Sequence, residues 1–213
     1  MRDQTVAMRD QTISEFLGQL AARAPVPGGG ASAALHAAQS AALLSMVARY
    51  SDGPEYADHA KVIARVLKES EALRTRALRL AENDTAAFSA VSSAHGLVRS
   101  TPDERAARQA AIRAALARAA VPQLTVIATA HRLVELATAL LPAANRDVIT
   151  DVAAAAEAAR AAAATARVNV EVNMVAISDP AEREQVTAAL ATVDDLAARA
   201  EHITATIRGQ VTG

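Results

Sequence analysis

Few residues in this chain combine a reactive side chain with an unusual setting, and Asp84 is the first of them. It lies in ENDTAAF at residues 82–88, inside a helical pattern where aspartate is a poor helix former, with Phe88 one turn on and on the same face. A carboxylate beside an aromatic near a core has its pKa raised, which suits a general acid or base. The alternative is a solvent-facing aspartate at a helix break. A second group is Asp151, Asn169 and Asn173. The 18 residues from Asp151 to Asn169 make five full turns, so both share one helix face, about 27 Å apart. From one straight helix they cannot hold the same small ligand; they serve opposite ends, or sites shared between subunits. Ala155, Ala158 and Ala162 lie between them, a pattern that also suits simple helix packing.

The third feature is PVPGGG at residues 25–30, directly before an apolar helix. Free backbone N–H groups at a helix start can seat an anion or a carbonyl oxygen, and glycines equally permit a tight turn or close helix packing. No GK[ST] follows, so it is not a Walker loop. His36, His59, His95, His131 and His202 are scattered without metal-ligand spacing, and no metal is expected. His36 stands between Ser32 and Ser40 just after the glycines, where a packing role competes with a binding one.

These residues need helices to hold them. In 213 residues the chain has room for one domain, and no segment alternates as a strand would, so the expected class is all-α. Hydrophobic residues make up 52%, yet tryptophan is absent and only Phe16, Tyr50, Tyr56 and Phe88 are aromatic, so the core must be built from Ala, Leu, Val and Ile. Close helix approach suits such a core.

Thr12 with Glu15, and Thr101 with Pro102 and Glu104, read as capping boxes that start helices. The first helix ends before Pro25, a buried one covers residues 30–50, and a long one covers residues 55–94 with a possible break near Asn83. Pro122 is read as the junction between a fourth and a fifth helix. A sixth covers residues 146–177, and DPAE at 179–182 starts the last. The repeated MRDQT assigns no fold to residues 1–11, leaving 12–213 as the domain.

Lys plus Arg number 22 against 23 Asp plus Glu, which gives no basic face for nucleic acid or an anionic membrane. The Ala-rich run at 152–166 is too short and too interrupted to span a bilayer. There is no cysteine, hence no disulfide or thiolate chemistry, and no signal-peptide pattern; a cytoplasmic location is expected.

Taken in order, EFLGQLAARAPVPGGGASAAL, AALLSMVARYSDG, ENDTAAFSAV, TPDERAARQAAIRAAL with AAVP, NRDVITD and NVEVNM resemble the formiminotransferase-cyclodeaminase and methenyltetrahydrofolate cyclohydrolase family. The resemblance implies a multihelical antiparallel bundle with long helices and an intertwined homodimer with folate sites near the subunit interface. It also implies chemistry at the amidine carbon of a one-carbon tetrahydrofolate, with no cofactor beyond that substrate. Carried over by motif position, Asp84 is the general base and Asp151 a cation-stabilising carboxylate. Pro27, Gly28, Gly29 and Gly30 form a pocket wall, and Asn145, Asn169 and Asn173 bond the pterin or orient the carboxylates. Arg99 takes a lysine position, and His36 is an addition beside the turn.

Gly18, Val26, Pro54 and Glu55 depart from the family's usual residues, the last two standing where a basic pair would hold an acidic tail. The expected activity is hydrolysis of 5,10-methenyltetrahydrofolate to 10-formyltetrahydrofolate. Cyclodeamination of formiminotetrahydrofolate, a non-folate imine or amidine substrate, and a non-catalytic helical dimer remain open.

Overall fold

The computed structural model describes residues 7–212, and among them the regular structure is entirely helical. Six α-helices follow one another: α1 (Ile13–Leu20), α2 (Gly29–Tyr50), α3 (Ala60–His95), α4 (Pro102–Leu140), α5 (Ile149–Asn173) and α6 (Pro180–Thr212). Short 3-10 turns join them at Pro54–His59, Leu141–Ala143, Arg146–Val148 and Met174–Ala176.

Both capping boxes form. The hydroxyls of Thr12 and Thr101 accept from the backbone N–H of Glu15 and Glu104, whose carboxylates accept in return from the threonine N–H groups. At the amino end, residues 1–6 lie outside the described residues. Met8–Asp10 form a 3-10 turn, and Arg9 pairs with Glu82 of α3 at 3.4 Å, so part of the 1–11 segment is seated on the bundle.

α2 is the central helix, packed against α3, α5 and α4, and it is apolar nearly all round because three neighbours cover it. Ala31, Ala33, Ala34, Ala37 and Ala41 are fully buried along it. With only a methyl between backbones the helices approach closely, which is how a core with almost no aromatic bulk is filled. Its length and composition would also let α2 cross a bilayer, as would residues 102–143, but 61% and 50% of those windows are buried inside this bundle.

Cross-links fix the helix directions. Gly30 meets Asp84, Gln123 of α4 bonds Asp84, Arg132 pairs with Glu69, and Asn145 bonds the Tyr50 carbonyl. Neighbours in the order α2, α3, α4, α5 therefore run antiparallel. Arg167 to Asp194 and Glu157 to Thr204 lay α6 antiparallel on α5.

Two sequence expectations are corrected. Pro122 does not separate two helices; it lies inside α4, one helix of 39 residues. Proline removes one N–H, that which would bond the carbonyl of Arg118, but Pro122 is buried between neighbouring helices and their packing holds the segment straight through. Nor does α3 break at Asn83, although residues 54–59 ahead of it are 3-10 rather than α.

The core is divided. The large cluster takes nothing from α3 beyond Ala81 and nothing from α4 before Ala120. Farther out these two helices pack on one another through a small cluster of Val91, Ala94, Ile112, Ala115 and Ala119, making a hairpin arm that extends past the start of α2.

Candidate active site

The first turn of α2 is where four helices meet. Gly28 is its N-cap in an extended conformation, preceded by buried Pro27 after a cis peptide bond. Asp84 lies directly against Gly30: a Cβ built on that glycine would fall inside the van der Waals envelope of Cγ and both carboxylate oxygens. The glycine therefore admits the carboxylate through close approach, with no left-handed backbone involved. Across from Gly29 stands α5, with Asn169 Nδ2 3.8 Å and Thr165 Cγ2 4.0 Å from where a Cβ would sit. Asn169 Nδ2 also donates to the Thr165 carbonyl at 2.8 Å, which fixes its rotamer.

From the fourth side Gln123 reaches in. Its Nε2 donates to Asp84 Oδ1 at 2.6 Å, and the Ala31 backbone N–H donates to the same carboxylate. Gln123 is 1% exposed, while Asp84 is half-buried. Burial pushes the Asp84 carboxyl above the ordinary aspartate range, and the bonds from Gln123 and Ala31 partly oppose that rise. The aromatic shield expected from Phe88 is not its cause, because Phe88 is 47% exposed and forms part of the outer rim. The desolvation comes from the helix packing instead. A carboxyl that holds its proton more readily than usual, open to one side beside the N–H groups of a helix start, is equipped to take and return a proton.

The remaining residues proposed from sequence fall in four places. Asn173 closes α5 one turn beyond Asn169, half-buried on the same side. His36 faces a separate, mostly apolar cavity of about 580 Å³ beneath α1, lined also by Phe16, Leu35, Arg74 and Leu78. Arg99 is exposed in the turn between α3 and α4, where its carbonyl accepts from Arg105 at 3.4 Å.

Asn145 and Asp151 lie at the opposite end of α2. Asn145 Nδ2 donates to the Tyr50 carbonyl at 2.8 Å, its N–H donates to Ser51 Oγ at 2.9 Å, and its Oδ1 accepts from the Asp147 N–H. It is a joint between two chain segments. Asp151, half-buried in the first turn of α5, is separated from Asn169 by the length of that helix. The structure thus groups Gly28, Gly29, Gly30, Asp84 and Asn169, and leaves Asp151 and Asn145 remote. Among the described residues no three His, Asp or Glu side chains gather as a metal site would require.

Gln123 was missed from sequence. Its signal was a lone amide after a mid-helix proline in AAVPQLTVIATA, a stretch otherwise made of Ala, Val, Leu, Ile and Thr.

Comparison with known proteins bears on the whole arrangement. The sequence profile described as Formiminotransferase-cyclodeaminase matches residues 12–192, which include every residue of the site. The chain belongs to that family. It is 36% identical over 177 residues to the methenyltetrahydrofolate cyclohydrolase of Methylorubrum extorquens, covering 83% of this chain and 85% of that protein. The rat formimidoyltransferase-cyclodeaminase is 29% identical over 180 residues, but the match spans only 33% of its length. Among solved structures, the formiminotetrahydrofolate cyclodeaminase of Thermotoga maritima superimposes with a TM-score of 0.80 at 27% identity, covering 93% of this chain and 98% of that one. The family's all-α fold is therefore that of this chain.

Proposed function

We propose that the protein hydrolyses 5,10-methenyltetrahydrofolate to 10-formyltetrahydrofolate, with Asp84 as the general base. The observation that carries this reading is the half-buried Asp84 carboxylate, of raised pKa, packed on the glycine start of α2 within a family whose named members act on this carbon centre. Asp84 takes one proton from water as its oxygen adds to the cationic methenyl carbon. That proton passes to N5 as the carbon–N5 bond breaks, and the second leaves as the formyl C=O forms. An ionised Asp84 also offsets the substrate's positive charge, and N–H groups in the first turn of α2 have no intrahelical acceptor, so they offer a seat for the new oxygen. Asn169 and Asn173 present amides at the same edge for the pterin ring.

The Thermotoga neighbour favours a second reading, cyclodeamination, in which N10 attacks the formimino carbon and the departing ammonia takes its proton from Asp84. No cofactor beyond the folate is called for in either reaction.

We further propose that the working form is a homodimer. Val168 and Val172 are exposed along the end of α5 and Val175 in the turn after it, and Phe88 and Val121 are exposed on α3 and α4 beside the residues that form the site, an apolar rim suited to a partner subunit. In such a dimer the remote Asp151 end of one subunit becomes available to the other's site.

Incubation with methenyl and, separately, formimino tetrahydrofolate while following methenyl absorbance tests these readings. Loss of signal with the first supports hydrolysis, gain with the second supports cyclodeamination, and no change with either refutes both. Sedimentation as a monomer at micromolar concentration would refute the dimer.

A further inference from the structure

We infer that Gln123 is a positioning residue that holds the Asp84 carboxyl in both of its protonation states, using the two ends of one buried amide. The geometry has three parts. Gln123 is 1% exposed and comes from a different helix than Asp84, 39 residues along the chain. Its Nε2 donates to Asp84 Oδ1 at 2.6 Å, the bond that an ionised carboxylate accepts. Its Oε1 is buried and accepts no hydrogen bond from another protein group. A buried carbonyl oxygen left without a donor is costly, and a residue that carried only the Nε2 bond would leave this atom unexplained.

The explanation lies in the reaction cycle. A base that collects a proton becomes an acid whose O–H needs an acceptor, and Gln123 Oε1 is the acceptor within the same side chain. A half-turn of the amide exchanges two groups of nearly equal size, so either end can face Asp84 while the other is the unpartnered one. The Ala31 N–H also donates to the carboxylate. No charged group takes part in setting this equilibrium: α2 offers the Ala31 N–H, α4 offers the Gln123 amide, and the Asn169 amide of α5 is neutral. On α3 itself the nearest acidic group, Glu82, is paired with Arg9. Proton transfer at Asp84 is therefore matched by an amide rotation rather than by a neighbouring charge.

The role in catalysis rests on the proposed function, while the two-state hold does not, so the test has two arms. In substrate-free protein, carbon-13 NMR of the Asp84 carboxyl, assigned by comparison with Asp84→Asn, gives the midpoint of its ionisation. The side-chain amide signal of Gln123 is expected to move with that same midpoint, and an amide signal indifferent to Asp84 ionisation overturns the inference.

Gln123→Leu removes both bonds, and because the bond to the charged form is the stronger, Asp84 is expected to ionise at higher pH. An unmoved midpoint in a folded variant likewise overturns it. Gln123→Met, closer in shape, serves if Gln123→Leu does not fold. In the kinetic arm the acid limb of kcat/KM moves upward with the NMR midpoint, and the rate at a pH below the limb falls about tenfold, with kcat affected more than KM. Absence of activity on either folate refutes the proposed function and leaves the NMR arm to decide the role of Gln123.

Discussion

Adding one methyl group at Gly30 distinguishes a glycine that admits a functional carboxylate from one that only eases a turn. A Cβ there overlaps Cγ, Oδ1 and Oδ2 of Asp84 together, so the whole carboxyl must retreat by about 1 Å to reach ordinary carbon contact distances. It cannot do so while bonded to both Gln123 Nε2 and the Ala31 N–H. Losing one net bond to a charged group costs about 1.5–3 kcal/mol, and alanine in place of glycine in a helix returns about 1 kcal/mol. The balance is a loss of roughly 0.5–2 kcal/mol, or about 1–8 °C in Tm for a chain of this size. Activity suffers more, because a misplacement of about 1 Å at a reacting group costs on the order of a hundredfold in rate. The control for stability is Gly29→Ala, whose new Cβ meets nothing closer than 3.8 Å; it is expected to keep its Tm. The paired assay is thermal unfolding with methenyl absorbance kinetics on both variants. Full activity in Gly30→Ala, or an equal loss of Tm in Gly29→Ala, would refute the reasoning.

Asp84→Asn is expected to lower kcat at least about a hundredfold by removing the base, checked in the same assay. Its effect on stability has the opposite sign. Because folding raises the Asp84 pKa, the native state carries no ionisation penalty below the unfolded value, and the penalty grows as pH rises through the folded one. At neutral pH the asparagine variant should therefore melt no lower than the wild type, with the comparison turning against it in acid; the reverse pH trend would show that the carboxylate is stabilised by its site. Asn145→Ala removes the side-chain bond to the Tyr50 carbonyl and the turn bond from the Asp147 N–H, keeping the backbone bond to Ser51, and is expected to cost about 1–3 kcal/mol in chemical denaturation while leaving kcat little changed. Asp151→Asn separates the single-subunit site from the shared one: unchanged kinetics would exclude a role for Asp151 in the reaction.

Much of the helical framework was legible because its signals are local. Thr12 with Glu15 and Thr101 with Glu104 announce helix starts through bonds that span three residues, and both form as the sequence suggests. Pro122 misled for a related reason. The local rule counts one missing N–H, whereas the outcome depends on the neighbours that bury α4 on both sides of the proline. The site is harder to read because its partners are distant in sequence. Asp84 was visible as a misplaced aspartate, but its bond to Gln123 spans 39 residues and the need for Gly30 appears only when α3 is laid against α2. Phe88 shows the limit of one-helix reasoning: it shares a face with Asp84 yet points to the rim, and the burial that matters comes from other helices.

The hairpin arm of α3 and α4 has a bearing on motion. Its five-residue cluster of mostly small side chains is separate from the large core, so it can open as its own cooperative unit at a lower free energy than the rest of the molecule. Amide hydrogens around Val91 and Ile112 should then exchange with deuterium well before those around Leu44 or Leu133. Asp84 and Gln123 stand where that unit joins the stable one. Breathing of the arm would widen the space over the carboxyl without dismantling the turn that holds it, giving a substrate a way in and a product a way out.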